Sequence, residues 1–576
     1  MMTDSAIKNA RIAYFSMEIA LEQGIPTYSG GLGVLAGDTL FAAADMGLPV
    51  CAVSLLYRQG YFRQHLDSHG KQSESPVVWN PADKLKPLSP VVTVEIEGKP
   101  LKIQAHCYEI KGAKGHVVPV IFLDTMHPDN APEHKNLTDH LYGGDERYRL
   151  CQETVLGMGG VAMLDALGLT PSASFDPLKP GLHTYHMNEG HAALLTLALL
   201  GHGKEDWVKE RCVFTTHTPV PAGHDTFPVV LAEKVLGKKK TDTLVELEVC
   251  PKDRLNMSEL AIRLSRFVNG VAKRHAEVSR RMFPGVHVEA ITNGAHAATW
   301  TADAIRSLFD KWCTGWREDN NYLRFACEIP LVDLMDAHKA AKSALFDEVM
   351  RRTGVKLDPK VFTIGFARRA AEYKRADLLF HDVERLQKIA QKMPLQIVFA
   401  GKAHPRDLGG KKLIEKVFAG ALSLAKAGVK VVYVEDYDLN FGRLVTSGVD
   451  LWLNNPVKPL EASGTSGMKA AINGVPSLST LDGWWVEGCV EGVVGWEIQD
   501  PADAYGDSKD DGTYRDVAAG SIYNLLEDTI MPGFYDKPLW YAEIMRHAIA
   551  LNGSFFNTHR MVLQYQVQAY TRRLKS

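Results

Sequence analysis

Residues 11–17 read RIAYFSM, residues 28–38 YSGGLGVLAGD, residues 40–46 LFAAADM and residues 49–57 PVCAVSLLY. The first and last are short apolar runs of strand length, the second is a glycine-rich loop, and the third reads as a helix. Strand, glycine loop, helix and strand in that order make a βαβ unit. Its right-handed crossover puts the loop at the ligand crevice of an open parallel sheet. Ser29-Gly30-Gly31-Leu32-Gly33 lacks the GxGxxG spacing of dinucleotide-binding folds, so NAD is not supported. The loop either cradles a phosphate or makes only a tight turn; its residues leave both open.

Outward from this unit the alternation continues. Residues 57–64 and 91–110 read as β-hairpin material inserted after it. Helices are expected over 146–167 and 192–200, strands at 183–187, 213–216 and 288–292, and one long amphipathic helix over 257–281. Asn293-Gly294 is a turn signal and the expected domain boundary. Beyond it, helices over 334–352, 376–392, 411–427 and 467–473 alternate with strands at 361–366, 396–400, 429–434, 449–453 and 476–479, and 555–574 is helical again. Such alternation predicts parallel sheets covered by helices on both faces. A chain of 576 residues also exceeds what one core supports. The expected division is 1–294 for a first α/β domain, 295–545 for a second, and 546–576 for a C-terminal helix packing back on the first.

Composition narrows the class. With 45% apolar and 23% charged residues the chain is ordinary for a globular protein, and a net charge of −3 gives no electrostatic reason to expect nucleic acid or an acidic membrane as partner. No apolar run reaches the roughly 20 residues that span a bilayer, and residues 1–15 lack a signal-peptide layout. The eight cysteines stand singly with no CxxC, as reduced thiols of a cytoplasmic protein do.

Four stretches carry chemistry. Residues 461–469 read EASGTSGMK, where Ser463, Gly464, Thr465, Ser466 and Gly467 offer N–H groups and hydroxyls with little bulk. Such a turn, opening a helix near Met468, binds an anion. Lys469 on the first helical turn suits a phosphate contact or a Schiff base to an aldehyde cofactor, and residue chemistry alone does not separate the two. Arg368, Arg369, Lys374 and Arg375 in ARRAAEYKRAD are either a solvated basic helix start or charge-assisted phosphate ligands at a strand's end. His183, His186, Glu189 and His191 lie in HTYHMNEGH, which matches no metal-ligand spacing and reads as a strand-end loop in a cleft; no metal is expected. His217 follows a buried strand in FTTHTPVPAGHD, and His224 and Asp225 either extend a site there or cap a helix. Trp484 and Trp485 are either core or a sugar-stacking surface.

In chain order these stretches resemble the α-glucan phosphorylases, the family of glycogen, starch and maltodextrin phosphorylases. EASGTSGMK is similar to the family's pyridoxal phosphate segment, NEGHAAL to its NDTHPAL, and THTPVPA to the segment whose histidine contacts the sugar. EYKR is similar to its phosphate-recognition segment, and TLDG followed by Val486-Glu487 to TLDGxxVE. The resemblance implies an α/β protein of GT-B architecture, two Rossmann-like domains whose parallel sheets face a central cleft. It implies a glycosyltransferase that carries out reversible phosphorolysis of α-1,4-glucan or maltodextrin to α-glucose 1-phosphate with retention. Its cofactor would be pyridoxal 5′-phosphate, a Schiff base on Lys469, whose phosphate exchanges a proton with inorganic phosphate.

The resemblance also assigns roles. Lys469, Arg369, Lys374, His217 and Glu461 are the catalytic set. Arg368, Lys374, Gly30, Gly31, Thr465, Ser466, Tyr437 and Trp300 join Lys469 around the cofactor. Gly31, His191, His217, Asn293, Glu461, Ser463 and Gly464 surround the substrate. The expected partners are an α-glucan or malto-oligosaccharide, inorganic phosphate, glucose 1-phosphate and a second copy of the chain. The family's regulatory N-terminal extension is not carried over, so allosteric control is expected to be absent. Three positions depart from the family pattern: Gly467 stands where asparagine is common, Asp438 where arginine is, and Arg368 where lysine often is. A sugar-nucleotide-dependent synthase is the nearest rival, but its KxGGL loop has a lysine where this chain has Tyr28. A non-catalytic glucan-binding regulator is the other, and the joint presence of basic cluster, carboxylate and lysine speaks against it.

Overall fold

The structure, a computed structural model, describes residues 2–172, 181–501 and 512–571. Strands β1 (Ile12–Ser16) and β2 (Val50–Leu55) pair in parallel, joined by helix α1 (Gly31–Asp45). The helix opens at Gly31, inside the stretch expected to be loop, rather than at Leu40. Two of its glycines serve packing: a Cβ at Gly33 would stand 2.7 Å from the Tyr28 side chain, and one at Gly37 1.8 Å from the Ala20 carbonyl oxygen. Close approach of the 18–20 segment, not loop flexibility, is what excludes a side chain there.

The sheet extends through β3 (Lys99–Lys111), β4 (Val117–Asp124), β5 (Thr184–Asn188), β6 (Cys212–Thr215), β7 (Phe267–Gly270) and β8 (Glu289–Ala290), in the order β8-β7-β6-β5-β1-β2-β4-β3. All these neighbours are parallel except β3 and β4. The long helix expected over 257–281 is instead two helices, Met257–Arg263 and Lys273–Met282, separated by β7. A short apolar run fits a helix face and a buried strand equally well, and here pairing with β6 decides.

The second sheet contains β9 (Phe362–Ala367), β10 (Leu395–Ala400), β11 (Lys430–Val434), β12 (Leu451–Asn454), β13 (Ser477–Thr480) and β14 (Gly495–Ile498). Their order is β11-β10-β9-β12-β13-β14, parallel throughout. Its helices include α2 (Leu331–Thr353), α3 (Leu439–Gly448) and α4 (Ser466–Ile472). The helix expected over 376–392 is a short turn, Leu378–Phe380, followed by Val383–Lys392, whose start is set by Asp382 accepting the Arg385 N–H at 2.9 Å. In each sheet the chain runs one way from a central strand and then reverses, so β1/β5 and β9/β12 are topological switch points, where open α/β sheets bind ligands.

Two devices tie the sheets together. The hairpin Arg63–Leu66 with Gln72–Ser75 docks on loops of the second sheet: Gln64 donates to the Gly401 carbonyl at 2.9 Å and Gln72 to that of Ala403 at 2.9 Å. The C-terminal segment returns to the first sheet through α5 (Thr558–Tyr565). There the Tyr570 hydroxyl meets His186 Nδ1 at 2.8 Å, and Arg560 donates to the carbonyls of Thr292 and Asn293 at 2.5 and 2.8 Å. Residues 572–574, the end of the predicted tail helix, lie outside the described residues.

Candidate active site

Both switch points open on one cavity of about 750 Å³. From the first sheet it is lined by Gly30 and Gly31 after β1, His191 after β5, His217 after β6 and Asn293 after β8. From the second come Arg368, Arg369 and Lys374 after β9, Tyr437 after β11, and Glu461, Ser463, Gly464, Thr465, Ser466 and Lys469 after β12, with Trp300 beside them. The structure therefore brings together every residue expected around catalysis, cofactor and substrate.

Lys469 is buried on the first turn of α4, its Nζ 3.6 Å from the centroid of the Trp300 ring. Among the described residues no hydrogen bond to Nζ is made. At the ring's edge, the Asp38 carboxylate accepts from Trp300 Nε1 at 2.8 Å and from the His296 N–H at 3.2 Å. Burial lowers the Lys469 amine to about 8, and the Asp38 charge opposes this only in part. At neutral pH such a lysine carries a usable neutral fraction, which is what a nucleophilic amine needs. Addition of an aromatic aldehyde to Lys469 should therefore accelerate as pH rises through about 8 and level off above it. Stopped-flow absorbance checks this; an amine of ordinary pKa would keep gaining rate past pH 10.

Glu461 anchors the basic cluster. Its carboxylate accepts from Arg368 Nη2 and, at 3.1 Å, from Lys374 Nζ, while its own N–H donates to Asp482 at 2.8 Å. Burial alone would raise its pKa, but the Arg368 and Lys374 charges outweigh that and hold it at about 2. Arg369 is exposed toward the cavity and makes no ion pair among the described residues. Arg375 belongs elsewhere. It is buried, donates to the Asn455 and Pro456 carbonyls at 2.8 and 3.1 Å, and pairs with Asp500, so it braces the loop after β12.

On the opposite wall Glu189 holds a left-handed backbone, φ 77°, which costs a non-glycine residue about 1–3 kcal/mol. Its carboxylate accepts from the His217 N–H at 2.7 Å and the Thr218 hydroxyl at 3.0 Å. His217 Nε2 donates to Asn188 Oδ1 at 2.7 Å, and burial lowers the imidazole to about 4, so it is neutral. His191 Nε2 lies 3.2 Å from Asp225, which also pairs with Arg149 at 2.7 Å. Asp225 thus supports the site rather than capping a helix, and His224 bonds Ser258 at 2.8 Å. His183 bonds Thr184 and His186 bonds Tyr570 and Thr215, so the three histidines of HTYHMNEGH do not converge.

The sequence profile of the carbohydrate phosphorylase family matches residues 220–498. A maltodextrin phosphorylase of Thermococcus litoralis is 38% identical across 98% of this chain and 71% of its own length. The chain belongs to the carbohydrate phosphorylase family. A glycogen phosphorylase of Aquifex aeolicus is 34% identical over 98% of this chain and 86% of its own. A Methanocaldococcus jannaschii protein, MJ1631, described only as uncharacterized, is 30% identical over 97% of this chain and 99% of its own.

Two departures from the family pattern now have physical reasons. A Cβ at Gly467 would meet the Trp484 ring at 2.9 Å, and the buried Trp484 also packs 4.8 Å from Phe556, so Trp484 and Trp485 are core and line no part of the cavity. The tryptophan excludes the asparagine. Gly467→Asn should cost about 1–3 kcal/mol by overpacking, and less in a Trp484→Ala background, a non-additivity that denaturant melts of the four proteins would read. Asp438 caps α3 by accepting the Phe441 N–H at 2.8 Å and pairs with Arg352 at 2.9 Å.

Residue reading missed Glu18, Tyr61, Tyr142, Arg149, Lys402 and His404, which also line the cavity. Glu18 takes the Ser29 and Gly30 N–H groups at 2.5 and 3.2 Å, so the glycine loop spends two of its donors internally and Gly31 opens the helix. Its place two residues past β1 was the available signal.

Proposed function

We propose that the chain is an α-glucan phosphorylase acting on maltodextrin-like α-1,4-glucans, releasing α-glucose 1-phosphate with retention and using pyridoxal 5′-phosphate held by Lys469. The observation that carries this reading is the buried Lys469 amine, with no hydrogen bond among the described residues, in one cavity with Arg368, Arg369 and Lys374. The names of the maltodextrin and glycogen phosphorylase relatives support it. We read residues 1–294 and 295–545 as the two Rossmann-like domains of a GT-B enzyme, with 546–576 returning to the first. The eight free cysteines fit a cytoplasmic location, and no described helix is long and apolar enough to cross a membrane.

The residues present fit the cofactor. Arg368 Nη1, Ser463 Oγ and Asn293 Oδ1 are buried polar atoms with no hydrogen-bond partner among the described residues, all on residues lining the cavity. When bound, pyridoxal 5′-phosphate supplies a phosphate that exchanges a proton with the substrate phosphate. Thr465, Ser466, Tyr437 and Gly30 would surround it, with Trp300 packing against the lysine. Arg369, Lys374 and the Gly31 N–H would bind inorganic phosphate, since three cations against one Glu461 carboxylate leave an excess of positive charge for an incoming anion. A phosphate that draws Lys374 toward itself frees one Glu461 oxygen to accept a glucosyl hydroxyl. Holding phosphate on the side of the departing oxygen is what yields retention. His217, neutral, orients a sugar hydroxyl without placing a cation beside the developing oxocarbenium charge, with His191, Asn293, Ser463 and Gly464 completing the sugar contacts.

The deciding assay incubates maltodextrin with purified protein and inorganic phosphate. Phosphate-dependent release of glucose 1-phosphate supports the reading; glucan synthesis that requires UDP- or ADP-glucose overturns it.

A further inference from the structure

Outside the cavity, three side chains far apart in sequence meet. Asp45 ends α1, His296 follows the Asn293-Gly294 turn, and His559 lies in the first turn of α5. Their side chains are 9%, 6% and 4% exposed, so bulk water is largely excluded. Asp45 Oδ2 lies 2.9 Å from His296 Nε2 and 3.4 Å from His559 Nε2, and all three ligand atoms fall within 4.8 Å of one another. Ligands about 2.1 Å from a tetrahedral ion stand about 3.4 Å apart, so little movement separates this arrangement from a coordination shell.

The surroundings suit that use. His296 Nδ1 is 2.7 Å from the Thr299 hydroxyl, the kind of outer contact that orients a ligating imidazole, and its ring stacks on Phe41 at 5.5 Å. Asp45 Oδ1 is occupied by the Ala113 N–H at 2.7 Å, which leaves Oδ2 for another partner. His559 Nδ1 has a long contact with the Asn320 N–H, 3.4 Å, which it gives up when its proton moves to Nδ1 and Nε2 becomes the ligand. Two imidazoles and a carboxylate are a donor set for zinc and its first-row neighbours, not for magnesium or calcium.

We propose that Asp45, His296 and His559 bind one divalent transition-metal ion, with water completing the shell, and that this ion staples α1, the segment after the domain turn and the C-terminal helix. The role is structural. The His296 N–H holds Asp38, whose carboxylate holds Trp300 under Lys469, so the staple also steadies the floor beneath the lysine.

The test uses the full chain, stripped with chelator and then given zinc chloride. Expected are one zinc per chain after desalting, a thermal midpoint several degrees higher than that of the stripped protein, and loss of both in His296→Gln and in His559→Gln. Cobalt(II) in place of zinc should give the visible absorption of a nitrogen- and oxygen-ligated ion. Failure of the wild-type chain to retain stoichiometric zinc, or retention of one zinc by both variants, overturns the proposal. Should a variant fail to fold, the cobalt spectrum of the wild-type chain decides alone, and absence of those bands overturns it.

Discussion

Lys469→Ala is expected to remove the absorption of bound pyridoxal phosphate and to lower the turnover of phosphorolysis by about 10³-fold or more, at least about 4 kcal/mol of barrier. Lys469 is the amine that would hold the cofactor, and Ala retains no nucleophile in its place. The variant should still fold, and the sign of its pH dependence separates a lost amine from a damaged structure. The folded-state pKa of about 8 lies below the ordinary lysine value of 10.5, so the folded protein binds fewer protons than the unfolded chain between those values. The penalty for burying the ammonium is fully present below pH 8 and disappears as pH rises to 10.5. Denaturant melts of the cofactor-free proteins should therefore show wild type gaining stability on Lys469→Ala between pH 8 and 10. Pyridoxal absorption that survives the substitution would sink the assignment.

Arg369→Ala should lower kcat/KM for phosphate by about 10²–10³, the ~3–4 kcal/mol typical of removing one preorganised partner of developing charge. Arg369→Lys should recover only part, because a point charge cannot reproduce the two-pronged guanidinium contact. Folding stability should change by no more than ~0.5 kcal/mol, since the side chain opens on the cavity and makes no ion pair among the described residues, with Tyr373 as its hydrogen-bonding neighbour. Arg368→Ala is the informative contrast: it takes a partner from the buried Glu461 carboxylate and should cost about 3–5 kcal/mol of stability as well. Equal stability losses in both variants would mean that Arg369 is structural.

Much of this was legible in the chain. The βαβ unit at 11–57, the restart of alternation after Asn293-Gly294 and the EASGTSGMK turn are local signals, because strand length, apolar period and turn residues are set by near neighbours. Strand ends could be located from those signals, and the strand-end residues singled out, from Gly30 to Lys469, do line one cavity.

What local signals left open was settled by contacts between distant segments. FVNG became β7 because β6 lies beside it, and Gly37 of α1 has no room for a side chain because the Ala20 carbonyl stands where its Cβ would be. Arg375, identical in type to its neighbours Arg368 and Arg369, went to Asp500 instead of the cavity. Gly467 answers to Trp484, and the meeting of Asp45, His296 and His559 has no counterpart in sequence spacing. The sequence by itself determined which residues could do chemistry and at which strand ends they sit, since backbone preference and apolar period are local. Only the tertiary structure decided which charges meet, which are buried and which face the cavity, since those depend on strand order and on the return of the C-terminal segment, and the partners are remote in the chain, 93 residues apart for Arg368 and Glu461 and 251 for Asp45 and His296.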